Sequence, residues 1–161
     1  MPTARPVYAT IILYLMLTSV QYANAHALGE TYVFLQIESS VLEGRVEIHE
    51  NEISALLGDQ WEKSGTVDAS FLAPLRAYLQ QNLQIATPAA ALQFEYQAPS
   101  VLDSPQGRYA VIPFSAKWPG QLPDSLIITQ NLFLENNRSH RGLLLVEKNI
   151  VTGEEFDWER T

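Results

Sequence analysis

The stretch TYVFLQIESSVLEGRVEIH, residues 31–49, decides the fold of this chain. Residues 31–37 are mostly β-branched and aromatic, which favours a strand, and their near-continuous apolarity indicates partial burial on both faces. Residues 41–49 alternate apolar and polar side chains, a pattern typical of a half-exposed strand. A polar turn at Glu38-Ser39-Ser40 separates the two. We therefore predict a β-hairpin, with His49 facing solvent at the end of its second strand.

Beyond the hairpin, the pattern changes to helix and then back to strand. A short helix over residues 50–57 is stopped by Gly58. A longer helix runs from Asp68 to about residue 85, with Pro74 in its first two turns. Strands are predicted at residues 92–97, 108–118, 126–134 and 141–146, with a loop at 98–107 and an edge or bulge at Pro113. The fold class is mainly β (α+β): an antiparallel β-sandwich with a helical insertion between the first hairpin and the later strands.

Residues 1–25 have the pattern of an export signal. Their only charged residue is Arg5, residues 7–20 are mostly apolar, and Ala23-Asn24-Ala25 suits a signal peptidase. A spanning helix needs about 20 apolar residues, and this run is shorter. We predict cleavage after Ala25, an uncleaved anchor being the alternative. The mature chain, residues 26–161, is then a single periplasmic or secreted β-rich domain without a transmembrane helix.

The charge and sulfur content of the chain exclude several functions. Its 18 acidic and 10 basic residues give a net charge of −8, which disfavours binding to nucleic acid or to anionic lipid. The chain contains no cysteine, so thiolate zinc sites, iron–sulfur clusters and cysteine nucleophiles are excluded. Both methionines, Met1 and Met16, lie in the predicted signal. A metal ion would therefore need histidine, carboxylate or backbone ligands.

The sharpest chemical hypothesis concerns the three histidines, His26, His49 and His140. Cleavage after Ala25 would make His26 the mature N-terminus, where its α-amine and ring nitrogen can chelate one ion together. Either His140 or His49 would complete a set of nitrogen ligands, which suits copper(II) and nickel(II). The alternative is that His26 belongs to a frayed terminus and that His140-Arg141-Gly142 only begins a strand.

No catalytic motif stands out in the chain. It has no G-x-S-x-G, no H-E-x-x-H, no P-loop and no dinucleotide-binding fingerprint. We therefore predict that the protein is not an enzyme. The three tryptophans, Trp61, Trp118 and Trp158, fit either a partner surface or buried structural positions.

Two regions of the chain resemble a known family. They are AHALGETY at residues 25–32, followed by GRVEI at 44–48, and HRGLLLVE at 140–147, followed by Asn149 and Thr152-Gly153. Together they resemble the exported N-terminal region of the larger HupE/UreJ-like membrane proteins of bacteria. The resemblance implies an extracytoplasmic domain that precedes a multi-helix membrane part, and an association with nickel or related metals that belongs mainly to that part. It transfers no functional residue.

These observations lead to two functional expectations. The first is a non-enzymatic periplasmic domain that binds a membrane or protein partner, is associated with metal (nickel) uptake and has no cofactor of its own. Its partner would be a membrane protein or a missing membrane domain, so the chain is expected to be either a fragment of a longer protein or a stand-alone relative. The second is a copper- or nickel-binding protein that uses His26.

Overall fold

The computed structural model describes residues 29–58, 69–135 and 138–156. Within these ranges the chain forms nine strands and two helices: β1 (Glu30–Ile37), β2 (Val41–His49), α1 (Glu50–Leu57), α2 (Ala69–Asn82), β3 (Leu83–Ala86), β4 (Glu95–Tyr96), β5 (Ser100–Ser104), β6 (Gly107–Lys117), β7 (Ile127–Gln130), β8 (Arg141–Asn149) and β9 (Glu154–Glu155). Neither described helix is long and apolar enough to cross a membrane. Several predictions lie outside the described residues, namely the signal peptide, His26, Trp61, Asp68 and Trp158.

The main sheet has seven strands in the order β4-β6-β2-β1-β8-β9, and β5 also pairs with β6. The predicted hairpin is present, because β1 and β2 pair antiparallel with Thr31 opposite Ile48. The prediction of a mainly β domain is confirmed. The prediction of a purely antiparallel arrangement is wrong, since β8 lies parallel to β1 with Arg141 beside Glu30. A sandwich packing of the sheets stays a prediction.

One face of the main sheet packs against the two helices and forms the core. Val33, Val46 and Ile112 come from three neighbouring strands, and Ile53 of α1 and Leu79 of α2 cover them, all with no exposed surface. Burial of such side chains contributes about 1.5–3 kcal/mol each. The alternation predicted for residues 41–49 therefore reflects one buried and one largely polar face of β2.

The first helix has the ends that the sequence predicts. The His49 side chain caps α1 by accepting a hydrogen bond from the Asn51 N–H at 3.2 Å. Glu50 and Glu52 lie in the first turn, where negative charge is favourable near the helix N-terminus. Gly58 ends the helix with φ of 69°, a conformation that glycine adopts without strain.

The second helix ends earlier than predicted. α2 stops at Asn82, and the next residues form β3, which pairs antiparallel with β7. This pairing buries Leu83 and Ile85, so a partner strand that is distant in sequence overrides the helical periodicity. Pro74 lies inside α2 rather than at its first turn.

Three later predictions also differ from the structure. The predicted loop at 98–107 contains β5, which pairs with the start of β6. The predicted strand at 92–97 is reduced to β4. The predicted strand at 126–134 ends at Gln130, because the chain turns into the core at Phe133, which has a φ of 58°. The Tyr78 hydroxyl accepts a hydrogen bond of 2.6 Å from the Phe133 N–H and so holds this turn.

Pro113 lies inside β6, opposite Arg45 in an unbroken ladder with β2, and β6 has β4 and β5 on its other side. The prediction of an edge or bulge at Pro113 is therefore wrong. Pro113 falls between the segment that pairs with β5, which ends at Val111, and the segment that pairs with β4, which begins at Phe114, so its missing N–H coincides with a break between these two pairings. Trp118, just after β6, is 7% exposed and donates to the Glu38 carbonyl at 2.9 Å. Trp118 is thus a buried structural residue.

Candidate functional site

Two of the predicted metal ligands, His49 and His140, lie at the amino end of β1. His49 ends β2 beside the start of β1, and His140 immediately precedes β8, whose first residue lies beside Glu30. A cleft of about 230 Å³ opens at this end of the sheet, and its lining residues are Gly29, Glu30, His49, Asn51, Glu52, Gln106 and Tyr109. We call it the amino-end cleft. Gly29, which is the first described residue, is one of these lining residues.

His140 is a buried residue with partners at both ring nitrogens. Its Nδ1 lies 3.3 Å from Glu52 Oε1, and its Nε2 lies 3.0 Å from the Thr31 hydroxyl. The ring also packs against Phe133, with 5.5 Å between the ring centroids. His140 therefore ties the start of β8 to α1 and β1. It would have to give up one of these contacts before it could bind a metal ion.

One ring nitrogen of His49, Nδ1, accepts a hydrogen bond, and the other, Nε2, lies close to Gly107 at the start of β6. Its Nδ1 caps α1, and its ring lies edge-on to Tyr109 at 5.1 Å. A Cβ added at Gly107 would collide with His49 Nε2, so the backbone approaches this atom closely. Coordination through Nε2 requires the proton on Nδ1, and metal binding would therefore compete with the helix cap. His49 is partly buried, whereas the sequence predicts that it faces solvent.

The amino-end cleft offers carboxylates beside the histidines. Glu52 lines the cleft and contacts His140, and Glu30 accepts a hydrogen bond of 2.5 Å from the Tyr32 hydroxyl. Among the residues at 29–58, 69–135 and 138–156, no group of three or more histidine, aspartate or glutamate side chains is arranged to hold a metal ion. A metal site here would need a further ligand from outside the described residues. His26 is three residues from Gly29 in the sequence, a reach of about 10 Å at full extension.

Sequence reasoning missed a charged network on the opposite face of the main sheet. Arg45 Nε pairs with Glu47 at 2.7 Å, its Nη2 pairs with Glu147 at 2.7 Å, and its guanidinium stacks over Phe34 at 3.8 Å. Gln36 adds a hydrogen bond of 2.9 Å to Glu147. The alternation of β2 places Arg45 and Glu47 on one face. Glu147 joins them only through the parallel pairing of β8 with β1, which no local pattern indicates.

The network changes the acidity of Glu147. Burial alone would raise the pKa of this carboxyl, but the hydrogen bonds from Arg45 and Gln36 and the charge of Arg45 lower it by more. The net result is a pKa below the ordinary value of 4.5. Glu147 is therefore held as a carboxylate at neutral pH, and both its side-chain oxygens are engaged with Arg45.

A second candidate site is an exposed apolar surface on the C-terminal strands. Its members are Leu143, Leu144, Ile150, Val151 and Phe156, which are 37–65% exposed. We call it the β8–β9 surface. The short strand β9 pairs only with Lys148 and Asn149 of β8. Leu143 and Leu144 are consecutive in β8 and therefore point to opposite faces of the strand, so the surface carries apolar side chains on both faces. Several large exposed apolar side chains within one short segment of a small domain are typical of an interaction region.

The structure thus defines a mainly β domain with two candidate sites, the amino-end cleft and the β8–β9 surface. Comparisons with protein-family models, with curated proteins and with solved structures found no match to this chain.

Proposed function

We propose that this chain is a non-enzymatic periplasmic domain that binds a membrane-associated protein partner through the β8–β9 surface. The observation that carries the proposal is the distribution of exposed apolar residues. Among the described residues, eight large hydrophobic side chains are exposed, and five of these come from residues 143–156. Their exposure to water is unfavourable in an isolated domain, and a partner would remove it.

Charge favours a protein over a lipid surface as the partner. The chain has a net charge of −8, and Glu154 and Glu155 are exposed beside Phe156. An anionic bilayer would be repelled by these carboxylates. A protein segment with apolar residues flanked by lysine or arginine would complement the surface in both respects.

The compartment and the link to metals rest on the sequence. The predicted signal peptide supports export to the periplasm. The resemblance to HupE/UreJ-like proteins supports a membrane protein as the partner and an association with nickel uptake. Under this proposal the chain itself transports nothing, and it acts on the extracytoplasmic side of its partner.

Membrane fractionation of cells that export the protein tests this function. We expect the wild-type domain to sediment with membranes, and Leu144→Lys to release it into the soluble periplasmic fraction. The matched control is Leu102→Lys, because Leu102 is 39% exposed on β5 and Leu144 is 44% exposed on β8. Equal sedimentation of both variants with the wild type would contradict the proposal.

A second candidate function is copper or nickel binding at the mature N-terminus. The observation that favours it is the amino-end cleft, because His49, Glu30 and Glu52 line this cleft together with Gly29, which is three residues from His26 in the sequence. The α-amine and ring of His26 would supply two nitrogen ligands, and His49 or a carboxylate would supply the next. His140 would join only by leaving Glu52 or Thr31.

Metal titration of the processed protein tests the second candidate. We expect one tight copper(II) or nickel(II) site, weakened strongly by His26→Ala and less by His49→Ala, measured by calorimetry and by electron paramagnetic resonance of the copper form. One extra residue before His26 provides the control, since it removes the free α-amine next to the ring and should abolish tight binding. Equal, weak binding by all forms would eliminate this function.

A further inference from the structure

A cleft of about 510 Å³ lies over β3 and β7, away from both candidate sites. Leu83, Ile85 and Leu92, whose side chains are buried, are among its lining residues. Ile127, which is 59% exposed, and the half-buried ring of Phe94 are its largest accessible apolar groups. This volume falls within the range of small-ligand sites in proteins, and the accessible lining of the cleft is a mixture of polar and apolar surface.

The lining of this cleft contains no ionisable side chain. Its polar members are Gln80, Gln84, Gln93 and Thr129. Four other clefts formed by the described residues each include at least one charged side chain, for example Glu147, Glu52, Asp124 and Glu95. A charged ligand would find no counter-charge over β3 and β7, so the cleft suits an uncharged one.

The polar groups of the cleft are free to bind a ligand. Gln80, Gln84, Gln93 and Thr129 are exposed, and none of their side chains forms a hydrogen bond with another described residue. Each carboxamide offers two N–H donors and one acceptor oxygen, and the threonine hydroxyl offers both roles. Such groups can hydrogen-bond neighbouring hydroxyls of one ligand in either direction.

The backbone of β3 is less available than these side chains. Along Ile85 and Ala86 one edge of β3 pairs with β7. The other edge is occupied by Ala91 and by the Leu92 N–H, which donates to the Ile85 carbonyl at 2.9 Å. An extended peptide therefore cannot add a strand there, and recognition falls to the carboxamides.

We propose that this cleft binds a short segment of a neutral saccharide. The hydroxyls of the sugar would pair with the carboxamides of Gln80, Gln84 and Gln93 and with Thr129. The apolar face of a sugar ring would pack against Phe94 and Ile127. This site is independent of the β8–β9 surface and of the histidines, so its test does not depend on either candidate function.

An array of neutral oligosaccharides, uronate-containing oligosaccharides and uncharged peptides tests this proposal. We expect neutral oligosaccharides to bind and to shift the side-chain amide resonances of Gln84 and Gln93. The double variant Gln84→Ala/Gln93→Ala should weaken that binding by about tenfold without lowering the melting temperature. Gln121→Ala, which removes an exposed glutamine outside the cleft, is the matched control.

Several outcomes would overturn the proposal. They are preferential binding of uronates or of peptides, an equal effect of the double variant and the control, and the absence of any neutral oligosaccharide that binds the wild type better than the double variant.

Discussion

Two tyrosine hydroxyls show how differently one residue type is used in this core. The Tyr78 hydroxyl accepts from the Phe133 N–H at 2.6 Å and donates to Glu135 at 2.9 Å. The Tyr96 hydroxyl is buried without a hydrogen-bond partner among the described residues, and burial raises the pKa of Tyr96 to about 12. Burial also raises the pKa of Tyr78, so both groups stay protonated at neutral pH.

Tyr78→Phe should lower the free energy of unfolding by about 1–3 kcal/mol, because it leaves the Phe133 N–H unpaired at a residue with positive φ. Tyr96→Phe is the matched substitution and should change stability by less than about 0.5 kcal/mol, or raise it, because it removes an unsatisfied hydroxyl. Urea unfolding of the two variants and the wild type measures both effects. A larger loss in Tyr96→Phe than in Tyr78→Phe would contradict this assignment.

The depressed pKa of Glu147 predicts how stability depends on pH. A carboxyl whose pKa is lower in the folded state contributes stability that is fully present above the unfolded value, here 4.5, and is lost as the pH falls through the folded value. Glu147→Gln should therefore destabilise the domain by about 1–3 kcal/mol at pH 7, and the difference should shrink below pH 4.5. Guanidinium unfolding at a series of pH values measures it.

The control for Glu147 is the exposed ion pair between Asp103 and Arg108, whose side chains are 75% and 44% exposed. Asp103→Asn should leave the stability almost unchanged across the same pH series, since solvent screens such exposed pairs. A difference between Glu147→Gln and the wild type that does not vary with pH would refute the role given to the carboxylate.

At the scale of elements, local patterns predict local structure and fail at long-range pairings. The hairpin of β1 and β2 and helix α1 follow from alternation, a turn and a glycine stop, all within residues 30–58. β3 was predicted as helix because its sequence continues the period of α2, and its partner β7 lies about 45 residues further on. The parallel pairing of β8 with β1 has no signature in either strand. This pairing places the start of β8 at the amino end of β1, where His140 contacts Glu52 and Thr31.

Gly44 of β2 lies in close contact with both neighbouring strands, β1 and β6. A Cβ added there would lie 2.5 Å from the Phe34 carbonyl oxygen and 2.6 Å from the Phe114 ring. Gly44→Ala should therefore lower the free energy of unfolding by about 1–3 kcal/mol, because β1, β2 and β6 must shift to make room. Gly120→Ala is the control, since nothing lies within 4 Å of its added Cβ. Thermal unfolding compares them, and equal melting temperatures would disprove this packing argument.

At the scale of the whole molecule, the sequence predicted part of the candidate sites. It singled out His49 and His140, and the fold brings both to the end of the sheet at which β1 begins. It did not predict the partners that hold them, because Glu52 and Thr31 are 88 and 109 residues away from His140. The β8–β9 surface was missed as well. A run such as Leu143-Leu144-Leu145 indicates a buried strand, and only the fold reveals that two of its leucines are 37% and 44% exposed.

The proposed function requires that the β8–β9 surface bind a membrane-associated protein. Site-specific photo-crosslinking in cells, with a photoreactive residue placed at Leu144 or Val151 and, as the control, at Leu102, reveals such a partner. We expect one discrete adduct from the first two positions, recovered with the membrane fraction and absent from Leu102. No adduct from Leu144 and Val151, or the same adduct from all three positions, would rule out this function.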